Sequence, residues 1–108
     1  MSEKIDLENE AEKLRVAGNY DEAAEKLHKA LEIDPDFARA HLALAVTYFR
    51  LKDAEKMCHH GERAIEIEPE DAFNYTALSV TYQRAWQLTN DQKYIQLAED
   101  TKAKADAM

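Results

Sequence analysis

Two glycines and two prolines in 108 residues are far below ordinary usage, and that scarcity disfavours strands joined by tight turns, so none are expected. A lone Cys58 excludes an internal disulfide and is consistent with a reducing compartment. No run approaches the ~18 apolar residues of a membrane span, and Met1-Ser2-Glu3-Lys4 lacks the basic-then-apolar order of a secretory signal. A cytoplasmic location is the default expectation. Basic side chains are outnumbered 14 to 22, for a net charge of -8. Nucleic-acid binding runs on Lys and Arg neutralising phosphates, and an anionic membrane repels an acidic protein, so neither partner is expected. With only Gly18 and Gly61 there is no glycine-rich loop for phosphates, and no cofactor is expected.

Leu, Ile, Val and Phe make up just under a fifth of the chain, which together with the charge sits at the boundary of disorder. The patterning overrules that warning. Ala, Leu, Glu and Lys dominate, and apolar residues recur at helical spacing: Leu7, Ala11, Leu14 and Ala17; Ala23, Leu27, Ala30 and Leu31; Leu44, Ala45, Tyr48 and Leu51. A chain of this length buries about two thirds of its unfolded surface, which suits one small domain over residues 1–108 and argues against a two-domain enzyme or a deep lidded cavity.

Residues 30–36, Ala-Leu-Glu-Ile-Asp-Pro-Asp, align with 64–70, Ala-Ile-Glu-Ile-Glu-Pro-Glu, at a shift of 34. Proline cannot continue a helix and pushes the residue before it to extended geometry, so Pro35 and Pro69 each close a helix-turn-helix unit. The spacing and the residues resemble the tetratricopeptide repeat. Unit two (about 38–71) carries His41, Leu44, Ala45, Tyr48, Met57, Gly61, Ala64 and Pro69 at the family's positions. Unit one (about 4–37) supplies Leu7, Ala11, Leu14, Ala23, Leu27, Ala30 and Pro35, with Glu10 where Leu is usual, as suits a solvent-facing end unit. Unit three (about 72–108) begins with Tyr75, Leu78, Ser79 and Tyr82, then runs through Ala85-Trp86-Gln87-Leu88-Thr89 to a break at Asn90-Asp91. Ala98 and Ala105 regain the pattern after about seven inserted residues. Seven residues are about two helical turns, so a helix from about Asp71 to Thr89 can lengthen without rotating its apolar face.

The resemblance implies an all-α fold, a right-handed superhelical solenoid of three hairpins and six helices. Gly18-Asn19 is expected to close the first helix, and Asp21, Asp36, Asp53, Asp71 and Asp91 to cap the second to sixth. It also implies a non-enzymatic adaptor that binds a peptide or amphipathic helix on the concave face of its first helices. That face holds Ile5, Glu8, Glu12, Arg15 and Val16, then Arg39, Leu42, Val46, Phe49 and Arg50, then Phe73, Thr76, Val80, Gln83 and Arg84. One reading of it is an apolar groove edged by arginines for a partner with hydrophobic anchors and carboxylates. The other is that Val46, Phe49 and Phe73 pack between helices while the arginines pair with Glu. A family variant that clamps chaperone C-terminal carboxylates needs basic residues and Asn where this chain has Glu8, Glu12, Ala43, Phe73 and Ala77, so no such clamp is expected.

Three further features stand outside the groove. Trp86 and Leu88 either pack on Tyr94, Ile95 and Leu97 within the last hairpin or form a self-association patch. The alternatives to an adaptor are accordingly a scaffold module that homodimerises through that hairpin, or a small secretion-type chaperone. Cys58-His59-His60 invites a metal or a nucleophile, but adjacent helical residues point about 100° apart, and the expectation is a solvated helix face. His28 reads as an exposed helix residue and His41 as a packing residue.

Overall fold

The computed structural model describes residues 2–108, which form six α-helices and no strand. They are α1 (Glu3–Val16), α2 (Tyr20–Ile33), α3 (Ala38–Arg50), α4 (Ala54–Ile67), α5 (Ala72–Thr89) and α6 (Lys93–Ala107). α1 packs on α2, α3 on α4 and α5 on α6, while α2 against α3 and α4 against α5 join one hairpin to the next. α3 also touches α5 directly, so the first helices of units two and three share a surface. None of the helices among the described residues is long and apolar enough to cross a membrane.

Small residues let these helices come close. Ala23, Ala30, Ala40, Ala64 and Ala85 have no exposed surface, and Leu27, Leu44 and Met57 fill the space between them. At Gly61 a Cβ would stand 2.9 Å from Leu78 Cδ1, so the absence of a side chain there lets Leu78 of α5 pack directly onto α4. Two buried polar groups pin the later joints: Asn74 Nδ2 donates to Glu68 Oε1 at 3.2 Å, and Ser79 Oγ donates to the Ala98 carbonyl at 2.9 Å. No buried side-chain polar atom among the described residues lacks a partner.

The helix ends agree with the sequence in part. Gly18 closes α1 at φ 86°, with the Asn19 N–H reaching the Leu14 carbonyl at 2.8 Å. One period later Lys52 occupies the same left-handed turn at φ 61°, and the Asp53 N–H reaches the Tyr48 carbonyl at 2.9 Å. Asp53 and Asp71 cap α4 and α5 by accepting from the Lys56 and Phe73 N–H groups at 3.1 and 2.9 Å. Asp91 stands one residue before the cap position of α6, which Gln92 occupies, but its carboxylate still accepts from the Lys93 N–H at 3.1 Å.

Asp21 and Asp36 do not cap. α2 begins at Tyr20, so Asp21 already lies inside the first turn and Asn19 holds the cap position without a side-chain bond. Asp36 falls one residue short of the cap position of α3, which Phe37 occupies, and its N–H instead bonds Asp34 Oδ1 at 3.1 Å. In both cases the repeat register decides: residue 19 corresponds to Asp53 and residue 37 to Asp71, one period on.

Nor is Cys58-His59-His60 a solvated face. Cys58 and His60 are buried and only His59 is exposed, because α4 is covered by α3 on one side and α5 on the other. Burial pushes the Cys58 thiol up to about 11, away from nucleophilic chemistry. His28 reaches across from α2 to place Nε2 2.7 Å from the Tyr48 hydroxyl. Among the described residues no cluster of three His, Cys, Asp or Glu side chains is arranged to hold a metal ion.

A non-glycine residue in the left-handed region is strained by about 1–2 kcal/mol, partly offset by the extra chain freedom of glycine when unfolded. Lys52→Gly is therefore expected to raise stability by about 0.5–1 kcal/mol in urea unfolding; a variant less stable than the parent would show that the Lys52 side chain, not its backbone, matters there.

Candidate protein-binding groove

α1, α3 and α5 present one continuous face, and its chemistry changes along its length. At the end nearest the N-terminus the charges are paired. Arg39 grips Glu8 with both arms of its guanidinium, Nε donating to Oε2 at 3.0 Å, and the same group lies 5.4 Å from the centre of the Phe37 ring. The Glu8 carboxylate raises the Arg39 pKa further above its usual value. Arg15 pairs with Glu12 one turn away on α1. Between α1 and α3 a cleft of 210 Å³ runs over Ala11 and Ala43 and leads into one of 270 Å³ bounded by Glu12, Arg15, Val16, Val46 and Arg50.

Towards α5 the balance reverses. Phe49 is half-buried at the meeting of α3 and α5, and the Arg84 guanidinium lies 4.9 Å from its ring centre and that of Arg50 6.0 Å. Neither arginine has a carboxylate within ion-pair distance among the described residues. Two like charges are thus held at one aromatic ring without a counter-ion from the chain itself. Phe73 stands 66% exposed and Val80 38% exposed along α5, while Leu42 and Val46 of α3 are half-buried. Thr76 is exposed and its hydroxyl donates back to the Ala72 carbonyl at 3.3 Å.

The structure therefore brings Leu42, Val46, Phe49, Arg50, Phe73, Val80 and Arg84 onto the face expected from the repeat, with Arg39 committed to Glu8. Gln83 is the exception. It is the period-equivalent of Phe49, but it does not share Phe49's place between two first helices. It lines instead a separate cleft of 390 Å³ with Trp86, Ile95, Ala98, Glu99 and Lys102. In that cleft Trp86 keeps 39% of its surface exposed, whereas Leu88 packs against the core. The shared use of one phenylalanine by two arginines was not read from the sequence. Its signal was present, since Arg50 and Arg84 stand one 34-residue period apart.

A TPR repeat model matches residues 12–52 and a tetratricopeptide repeat model residues 38–71, together more than half of the chain. Among curated proteins, the TPR repeat-containing thioredoxin TTL4 of Arabidopsis thaliana is 40% identical over 52 residues, which are 48% of this chain and 8% of that protein. Among solved structures, the first TPR of Spaghetti (RPAP3) bound to the HSP90 peptide SRMEEVD superposes with a TM-score of 0.68 over 97% of this chain and 91% of that one, at 19% identity. That likeness is one of fold. With the 34-residue period, three packed hairpins and both sequence matches in agreement, the chain belongs to the tetratricopeptide repeat family.

Proposed function

We propose that the chain is a non-enzymatic interaction module that binds a protein segment along the face of α1, α3 and α5, holding an apolar side chain of the partner against Phe49, Val46 and Phe73 and a neighbouring carboxylate between Arg50 and Arg84. The observation that carries this reading is the pair of arginines without counter-ions over one half-buried ring. A carboxylate placed there makes charge-assisted bonds to both guanidinium groups and removes their mutual repulsion. A small all-helical surface lined by such groups supplies neither a nucleophile nor a convergent acid–base pair. The natural setting of such a module is the cytoplasm, in keeping with its unpaired cysteine.

The test is a fluorescence-anisotropy titration with labelled peptides in which a Leu or Phe is flanked by Glu, against counterparts with Lys in place of Glu. Binding of the acidic set is expected, weakening with salt and falling at least tenfold for Arg50→Glu combined with Arg84→Glu, in a protein whose circular dichroism is unchanged. Equal binding of both sets, or no change in the double variant, would sink the proposal.

The relative in the superposition binds SRMEEVD; this chain is expected not to. The positions that would clamp a terminal carboxylate hold Glu8, Glu12, Ala43, Phe73 and Ala77, none of which carries a donor side chain, and the two acids there already occupy Arg39 and Arg15. Titration with SRMEEVD should show no saturation at micromolar concentration, and a salt-sensitive micromolar Kd would overturn that expectation.

A second reading rests on Trp86, a half-exposed indole beside Ile95 at the outer face of the last hairpin, where a second copy could dock. Sedimentation velocity over a wide concentration range is expected to return a monomer. A dimer dissolved by Trp86→Ala would favour self-association instead.

A further inference from the structure

Where α2, α3 and α4 meet, three histidines from three helices are joined in one network. His41 and His60 are buried, and their Nδ1 atoms lie 3.0 Å apart. His41 Nε2 lies 3.0 Å from the Pro35 carbonyl oxygen. A carbonyl only accepts, so Nε2 carries the hydrogen and Nδ1 of neutral His41 is bare; His60 Nδ1 must then be the donor of the bond between the two rings. The tautomers of both are thereby determined. The His60 ring stacks on Tyr48 at 5.8 Å and 9°, and His28, bonded to the Tyr48 hydroxyl at 2.7 Å, meets His60 edge-on at 5.6 Å.

A proton added to the buried pair keeps the bond between the two rings but brings a charge into the joint. On His41 it sits at Nδ1 and bridges to His60, which shifts its own hydrogen to Nε2. On His60 it leaves the bond to His41 but places a cation among other cationic or cation-forming groups: His28 from α2, His41 from α3, and His59 and Arg63 from α4 itself. Lys56 of α4 acts on His28 in the same sense. The opposing acids are Glu32 of α2 towards His28 and Asp36 of the α2–α3 turn towards His41, and Asp36 already faces Arg63 at 3.6 Å. No charged group of α5 acts on the three rings. Burial is the first cause holding all three below the usual imidazole range, His60 down to about 3.

We infer that this histidine network is an acid-sensitive joint: below neutral pH it releases α1 and α2 from the second hairpin and opens the α1–α3 end of the groove, while α5 and α6 stay packed. His28 of α2 meets Tyr48 and His60, and His41 meets the Pro35 carbonyl of the α2–α3 turn, so the network spans the contact between units one and two as well as the α3–α4 pairing, and no histidine lies beyond His60 in the sequence. The direction follows from linkage. The folded joint favours neutral rings at the buried His41 and His60, whereas in the released chain imidazoles titrate near 6.5. The stabilisation is complete above about pH 7 and is lost as pH falls below 6.5 towards the folded value of about 3 for His60. For that residue alone the closing equilibrium at pH 5 is weakened about 30-fold, at a pH where most carboxylates are still ionised.

Hydrogen exchange of the full chain at pH 7 and pH 5, corrected for the intrinsic exchange rate, reads the joint directly. Amides of α1 and α2 are expected to lose at least tenfold in protection while those of α5 keep theirs. Uniform loss along the chain, or none, overturns the inference, as does an NMR titration of the folded protein in which the His60 imidazole titrates near 6.5. His60→Gln, whose amide can still donate to His41 Nδ1 but takes up no proton, should flatten the change in urea midpoint between pH 7 and pH 5. If that variant does not fold, exchange and titration of the parent decide the matter. The inference does not depend on what the groove holds.

Discussion

Close approach of neighbouring helices over alanine and glycine is the constraint on which the rest of this structure depends. Ala23, Ala30, Ala40, Ala64 and Ala85 are wholly enclosed, and Gly61 admits Leu78 to a distance that no Cβ would tolerate. Because each interface is made of small residues, the larger ones are left for the gaps and for the outer edges of the hairpins. Repetition then turns a local contact into an architecture: α2 on α3 and α4 on α5 are the same joint made twice. The face built from α1, α3 and α5 is a product of that stacking, which spaces the first helices and leaves side chains such as Phe49 and Phe73 with room on one side.

The two joints are nonetheless not chemically alike. Between α4 and α5 the buried polar tie is Asn74, an amide that holds no proton at any ordinary pH and satisfies Glu68 and the Ala64 carbonyl. One period earlier Asn74 is replaced by Ala40, and the polar ties near the α2–α3 joint come instead from the neighbouring His41, linked to His60 and the Pro35 carbonyl. A buried polar network is tolerated only while each member has a partner. The Asn74 amide takes up no proton as pH falls, whereas a proton added to the imidazole pair brings a buried charge. The α4–α5 joint carries its own carboxylates, Glu68 at Asn74 and Glu62, which accepts from the Tyr82 hydroxyl.

Much of this was legible in the sequence, for physical reasons that can be named. Pro35 and Pro69 forbid helix, the apolar spacing forces amphipathic faces, and a constant 34-residue shift makes the units superimposable, so six helices in three hairpins followed. What failed was whatever depends on one residue of register or on a partner far along the chain. Asp21 and Asp36 have the chemistry of caps but stand one or two places from where the helices begin. His60 reads as a surface neighbour of His59, and only packing against residue 41, 19 positions away, makes it a core residue. Likewise, nothing in the spacing distinguishes Arg39, which finds Glu8 31 residues earlier, from Arg50 and Arg84, which find none.

The arginine pair at Phe49 also has a kinetic meaning. The whole chain carries a net charge of -8, so an acidic segment approaching from a distance is repelled, and only inside roughly one screening length, about 8 Å at physiological ionic strength, do the two guanidinium groups outweigh the rest. Salt therefore acts in opposite senses on the two halves of an encounter, shortening the reach of the repulsion during approach and weakening the attraction after contact. For the acidic segment proposed as partner, this charge distribution implies capture by collision at close range rather than by steering, and selection against acidic chains that lack an apolar anchor.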